Sequence, residues 1–282
     1  MEILRQLDLT PVLRRALDED IGHGDISTAA TVAPGQPGRA KITCKEKRII
    51  FCGGVLLEKL FAMAGAEAKF ELLTPEGSEL RAGQAAVEID GLLSGILIAE
   101  RTALNFLQLL SGIATATRAY VEAIAGTRAR IIDTRKTHPG LRELEKYAVR
   151  IGGGFNHRFG LDGGVLLKDN HIAAAGSITK AIERTRQIAP HTVQIQVECE
   201  TLEQLEEALR AGVTVILLDN MTTEQMRQAR EIAGAGVQFE ASGGITIDRV
   251  REIAETGVDL ISVGALTHSV RAVDLSMRIQ TR

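Results

Sequence analysis

Residues 164–219 read GVLLKDNHIAAAGSITKAIERTRQIAPHTVQIQVECETLEQLEEALRAGVTVILLD, and this stretch decides the fold. Three short apolar runs, 164–168, 193–198 and 213–219, alternate with helical spacing over 178–188 and 202–210. That alternation predicts βα units of a parallel sheet or barrel. Outward from it the pattern continues, with strands expected at 129–133, 237–241 and 258–263 and helices at 140–150, 223–233 and 247–255. Ser177, Thr201, Thr222 or Thr223, and Thr246 stand where N-caps belong, and Glu203 and Glu224 lie in first turns where the helix dipole favours a carboxylate. Six strands instead of eight leave both an incomplete and a closed barrel open.

Residues 1 to about 110 read differently. Helical spacing over 4–17 is followed by a connection rich in Thr, Pro and Gly at 28–38. Strand-like runs at 39–44, 49–52, 68–73 and 85–89, with helical residues 55–64 among them, predict a small α+β layer structure. An apolar-faced helix over 98–110 leads to the second part.

The chain of 282 residues can bury a full core, and 45% hydrophobic with 24% charged residues excludes disorder and fibrous repeats. Lys plus Arg number 33 against 36 Asp plus Glu, so no bulk field favours nucleic acid or an anionic membrane. Nine aromatic residues, none of them Trp, argue against a base-stacking platform. Cys44, Cys52 and Cys199 lack both even number and metal spacing, which predicts reduced thiols in the cytoplasm. The most apolar stretch, 92–113, is interrupted by Glu100, Arg101, Asn105 and Gln108, so no membrane span is expected.

The informative residues end the expected strands: Asp133 followed by Arg135 and Lys136, then Lys168, Glu198, Asp219, Ser242 with Gly243 and Gly244, and Gly264. Barrels build their active sites at that rim. Arg135, Lys136, His157, Arg158 and Lys168 lie within 34 positions. Each alone reads as a solvated cation, but two like charges about 4 Å apart at an effective dielectric near 20 repel by roughly 4 kcal/mol. Converging, they therefore need an anionic ligand or interleaved carboxylates, and a small, multiply anionic substrate follows. Glu198 and Asp219 end apolar runs and could hold Mg²⁺, bind ribose hydroxyls or stabilise a developing cation. The turn SGGIT at 242–246, with SVGA at 262–265 on the last strand, matches the phosphate site common after the final strands of barrels. Arg101 sits among apolar helical neighbours, where a buried side would demand an acceptor. His23, His138, His171 and His268 read as structural.

The segments ERTALNFLQLLSGIATAT, DTRKTHPGLRELEKYAV, GGGFNHR, LLKDNH, VECETLEQ, ILLDNM, EASGGIT and ISVGALTH, in this order, resemble the quinolinate phosphoribosyltransferase family over nearly the whole chain. GDIST at 24–28 is consistent with it, and Gly163 departs from the acidic residue usual there. The resemblance implies an N-terminal α/β sandwich (1–111), an open α/β barrel (112–266) and a C-terminal segment (267–282) returning to the sandwich. It implies transfer of phosphoribose from phosphoribosyl pyrophosphate, with Mg²⁺, to quinolinate, yielding nicotinate mononucleotide, pyrophosphate and carbon dioxide in NAD biosynthesis. A homodimer or hexamer with shared sites is also implied. Carried over by position, Arg135, His157, Arg158 and Lys168 resemble ligands of the pyridine carboxylates, with Thr134 beside them and Arg101 arriving from a partner subunit. Lys136, between the two substrates, joins Glu198 and Asp219 as a catalytic residue. Ser242, Gly243, Gly244, Val263, Gly264 and Ala265 resemble the 5-phosphate cradle. A paralogue serving another pathway, an aldolase-like barrel with Lys168 as Schiff-base amine, and a non-catalytic phosphate sensor are rivals. The intact cation set, its surplus for an aldolase, and the paired carboxylates argue against them in turn.

Overall fold

A computed structural model describes residues 8–280 and divides into two compact units. The first comprises the described residues up to Arg118, Thr137–Gly153 and those from Ser269 onward. Its main sheet has the antiparallel order β12-β1-β5-β3, from Leu275–Gln280, Pro37–Cys44, Ala85–Leu92 and Lys69–Leu72. Burial alternates along β1, so that Ala40, Ile42 and Cys44 face the core while Arg39 and Lys41 pair with Asp90 and Glu88 on β5. This is the period of two that one buried sheet face requires. A ribbon of β2 (Ile49–Ile50) and β4 (Glu79–Leu80) adds to it.

The helices of this unit are α1 (Thr10–Ile21), α2 (Ile26–Thr31), α3 (Leu57–Met63), most of α4 (Leu93–Ala123) and α5 (Arg142–Ile151). The expected helix at 4–17 begins outside the described residues; α1 instead opens on Thr10 with Pro11 in its first turn and runs to Ile21. Part of the expected connection at 28–38 is the short α2, which the Asp25 side chain caps by accepting from Thr28 N–H at 3.0 Å. Helix α4 extends well past the expected 98–110. Its threonines, which weaken the helical pattern, bond back onto the helix: Thr115 and Thr117 donate to Ser111 and Ile113 carbonyls at 2.6 and 2.8 Å. By length and a mean hydropathy of 1.2 this helix could cross a membrane, yet 61% of its most apolar window is buried within the protein. That burial is the mark of a core helix.

The second unit, Ala119–Lys136 with Gly154–His268, holds six parallel strands in the order β6-β11-β10-β9-β8-β7. These are β6 (Arg130–Ile132), β7 (Val165–Leu167), β8 (Ile195–Cys199), β9 (Val215–Asp219), β10 (Gln238–Ser242) and β11 (Leu260–Ser262). The edge strands β6 and β7 do not pair. Phe155 instead bridges β6, donating to Ile131 O at 2.8 Å and accepting from Asp133 N–H at 3.1 Å. The barrel is therefore open. Between the strands run α6 (Asp169–Ala175), α7 (Ile178–Ile188), α8 (Leu202–Arg210), α9 (Thr223–Ala233) and α10 (Val250–Ala254), and α11 (Ala265–His268) follows β11. Ser177, Thr201 and Thr222 cap as expected. Thr246 does not cap: α10 starts four residues later, and Thr246 contributes only its carbonyl, which accepts from Arg249 and Val250 N–H. The helix expected at 140–150 groups with the first unit.

Candidate active site

Parallel strands turn every second side chain to the barrel interior. On β8 these are Gln196 and Glu198, on β9 Leu217 and Asp219, on β10 Glu240 and Ser242; Leu166 on β7 is followed by Lys168 and Ile132 on β6 by Thr134. At the C-terminal ends of the strands all of these except Gln196 and Ile132, which lie deeper, surround a cavity of about 540 Å³, completed by Arg135, Lys136, His157, Arg158, Asn220, Gly243, Gly244 and Ser262. Eleven expected site residues are thus brought together: Thr134, Arg135, Lys136, His157, Arg158, Lys168, Glu198, Asp219, Ser242, Gly243 and Gly244.

The cations are held by different means. Lys168 Nζ lies 2.9 Å from Glu198 Oε2, one of the interleaved carboxylates that converging charge demands. Because the Lys168 side chain is 47% exposed, such a pair contributes little and opens readily to an incoming anion. Arg158 Nη1 donates to Gly164 O at 2.6 Å while its Nε–H is buried without an acceptor. Burial, and then the neighbouring Arg135, push the Arg158 guanidinium below its ordinary pKa, as expected for a cation lacking its counter-ion. Gly163 leaves room against the Arg158 stem: a Cβ there would meet Arg158 Cβ at 3.2 Å.

Lys136 is fixed through its backbone. Its N–H donates to Thr134 Oγ1 at 3.0 Å, and the buried Thr267 hydroxyl donates to its carbonyl at 2.7 Å. Its stem lies against Gly264, where a Cβ would stand 3.1 Å from Lys136 Cδ. Gly264, Val263 and Ala265 do not line the cavity; Gly264 serves the lysine, and Val263 is buried. Gly264→Ala is expected to displace the lysine by a few tenths of an ångström and lower kcat roughly tenfold, since misplacement of about 1 Å can cost 10²-fold. Steady-state kinetics beside a urea melt that moves little would check it.

The glycine turn after β10 is obligatory. Gly243 has φ +89°, and a Cβ on it would fall 2.2 Å from Asn220 Oδ1. Asn220 itself is left-handed at φ 55°, with its N–H donating to Ser242 O at 2.9 Å and its side-chain amide to Asp219 Oδ2 at 2.7 Å. Asn220 therefore ties an acidic strand end to the glycine cradle, a part not singled out from sequence although Asn is enriched in that conformation. Glu240 and Gln196 were also missed, while Ser262 was read only as part of the SVGA turn. Counting back two residues from Ser242 and Glu198 finds the first two.

Arg101 is exposed on α4 and is not among the residues lining the cavity. Of the histidines read as structural, His138 Nδ1 meets the buried Glu145 at 2.5 Å and His171 Nδ1 accepts from Lys168 N–H at 3.0 Å.

An open α/β barrel with cations, carboxylates and a glycine turn gathered at the C-terminal rim is the layout of an enzyme site. The model of the quinolinate phosphoribosyl transferase N-terminal domain matches residues 25–111, and that of the C-terminal domain matches residues 113–278. The chain belongs to the quinolinate phosphoribosyltransferase family. It is 44% identical over 276 residues to a probable carboxylating nicotinate-nucleotide pyrophosphorylase of Bacillus subtilis, covering 98% of this chain and 95% of that one. A Mycobacterium leprae relative, a carboxylating nicotinate-nucleotide pyrophosphorylase, is 43% identical over 94% of this chain and 95% of its own. The crystal structure of nicotinate-nucleotide pyrophosphorylase from Ehrlichia chaffeensis superposes with a TM-score of 0.92 at 39% identity, covering 98% of this chain and all of that one (100%).

Proposed function

We propose that the protein transfers phosphoribose from phosphoribosyl pyrophosphate to quinolinate with loss of carbon dioxide, the nicotinate mononucleotide-forming step of NAD biosynthesis. It is a pentosyltransferase. The observation that carries the site reading is the cavity in which Arg135, Lys136, Arg158 and Lys168 face Glu198, Asp219 and the Gly243–Gly244 turn. Arg135, Arg158 and Lys168 take the two pyridine carboxylates, with His157 in the wall beside them. Planar guanidinium forks suit that task. Ser242, Gly243 and Gly244 cradle the 5-phosphate through backbone N–H groups.

With quinolinate so held, its ring nitrogen attacks the anomeric carbon as the bond to pyrophosphate breaks. Glu198 and Asp219 stabilise the positive charge that builds on the sugar, and Lys136 balances pyrophosphate charge. The N-ribosylated ring is cationic, so the adjacent carboxylate leaves as carbon dioxide and the electron pair left on carbon is stabilised until a proton replaces it. No protein nucleophile is needed; positioning and charge do the work. Among the described residues no three His, Cys, Asp or Glu side chains gather to hold a metal. Glu198 and Asp219 are hard oxygen donors that would hold Mg²⁺ together with phosphate oxygens of phosphoribosyl pyrophosphate, where the ion would screen the charge of the leaving group.

The assembly is a homodimer or larger, with Arg101 entering a partner's cavity. In support, Arg101 and Asn105 are exposed one helical turn apart on α4, next to a groove of about 560 Å³ lined by Val12, Ala16, Phe106 and Leu109. Arg101→Ala and Lys168→Ala enzymes, each inactive alone, are expected to regain partial activity when mixed; failure with subunit exchange demonstrated refutes a shared site. The three cysteines are free and buried, which suits the reducing cytoplasm. Carbon dioxide release that depends on both quinolinate and phosphoribosyl pyrophosphate, measured at steady state with purified protein, tests the activity.

A further inference from the structure

We propose that Glu240 is a positioning residue for the carboxylate-binding cations, acting through His157 on Arg158; this rests on the reading of Arg158 above. Glu240 faces the barrel interior on β10, below the rim, with its side chain 3% exposed. A carboxylate so deeply buried is costly unless it is partnered. Its Oε2 accepts from Gln196 Nε2 at 2.7 Å and lies 3.6 Å from His157 Nε2.

The imidazole is held from both sides. His157 Nδ1 accepts the Arg158 backbone N–H at 2.7 Å, so a neutral ring carries its proton on Nε2, the edge turned to Glu240. The His157 N–H in turn donates to Asp133 Oδ1 at 2.8 Å, and Asp133 is fully buried. At 3.6 Å the Glu240 contact is electrostatic, longer than a hydrogen bond, and it favours the ring orientation that leaves Nδ1 as an acceptor. That acceptor fixes the backbone from which Arg158 reaches the cavity, and Gly164 O fixes the far end of the guanidinium.

Glu240, His157 and Arg158 also line a second cavity of about 310 Å³ deeper in the barrel. They form the partition between it and the rim cavity of about 540 Å³. Glu240→Leu keeps that partition filled, where alanine would open it.

The test uses full-length wild type, Glu240→Leu, Glu240→Gln and Arg158→Ala, with binding and KM measured separately for quinolinate and phosphoribosyl pyrophosphate. Nitrogen-15 spectra of His157 accompany them. Wild type is expected to show the Nε2–H tautomer. Glu240→Leu is expected to weaken quinolinate roughly tenfold or more, leave the other substrate within about twofold, and lose that tautomer's signature. Glu240→Gln, whose amide oxygen can still face Nε2–H, should recover to within about threefold of wild type. An Nδ1–H tautomer in the wild type, unchanged quinolinate affinity in Glu240→Leu, equal losses for both substrates, or equal losses in the two Glu240 variants would each overturn the proposal. Unchanged quinolinate affinity in Arg158→Ala would instead overturn the reading of Arg158 on which it stands.

Discussion

Nicotinate in place of quinolinate is expected to lower kcat/KM by a factor on the order of 10⁴. The two acids differ by one carboxylate, the one beside the ring nitrogen. On the reading proposed above, the cavity takes two anionic groups: Arg135, Arg158 and Lys168 line it, and the Arg158 Nε–H is buried with no acceptor of its own. Nicotinate would leave the buried Arg158 donor without an anionic partner. The asymmetry between gaining a hydrogen bond and stranding a buried donor is what makes such discrimination large. Lys168 can fall back on Glu198, but Arg158 keeps a buried Nε–H without an acceptor and a depressed pKa, so the cost falls mainly on Arg158. Steady-state comparison of the two acids at saturating phosphoribosyl pyrophosphate checks it, and equal turnover would refute the two-carboxylate reading.

Asp133→Ala is expected to destabilise the barrel unit by about 2–6 kcal/mol. The side chain is fully buried; Oδ2 accepts from Asn156 Nδ2 at 2.6 Å and Oδ1 from His157 N at 2.8 Å. Removing it strands two donors, each costing about 1–3 kcal/mol. The loss concentrates where β6 meets the 154–158 segment, the edge at which the barrel is open. Urea unfolding followed by far-UV circular dichroism measures the shift, and a change below about 1 kcal/mol would show that these donors find other acceptors. Asp133→Asn, which keeps one acceptor, should fall between.

The βα units were legible because each needs only a local pattern. The helices at 178–188, 202–210 and 223–233 lie at the expected residues, since a polar cap followed by an amphipathic period marks both start and face. Elements stabilised by distant partners escaped. Strand β12 owes its existence to β1, more than 230 residues earlier, with Met277 opposite Ile42 and Leu275 opposite Cys44. Its own sequence, LSMRIQ, does alternate apolar and polar residues, but nothing in it names the distant strand with which it pairs. Local pattern left the barrel either incomplete or closed, and the open barrel came only with the family resemblance, because whether β6 and β7 pair depends on Phe155 occupying the β6 edge.

For the site, sequence by itself determined which residues carry charge at the strand ends. Position along a βα repeat dictates that Lys168, Glu198, Asp219 and Ser242 share one rim, and the period of two dictates which neighbours point the same way. Only the tertiary structure decided how those residues are employed. It paired Lys168 with Glu198, set Gly264 against the Lys136 stem, tied Asn220 to the glycine turn, and placed the Glu240 carboxylate beneath His157. The physical reason is range: chain periodicity sets the direction of a side chain, but its partner depends on what closure of the sheet brings within a few ångströms from strands 20 to more than 100 residues away.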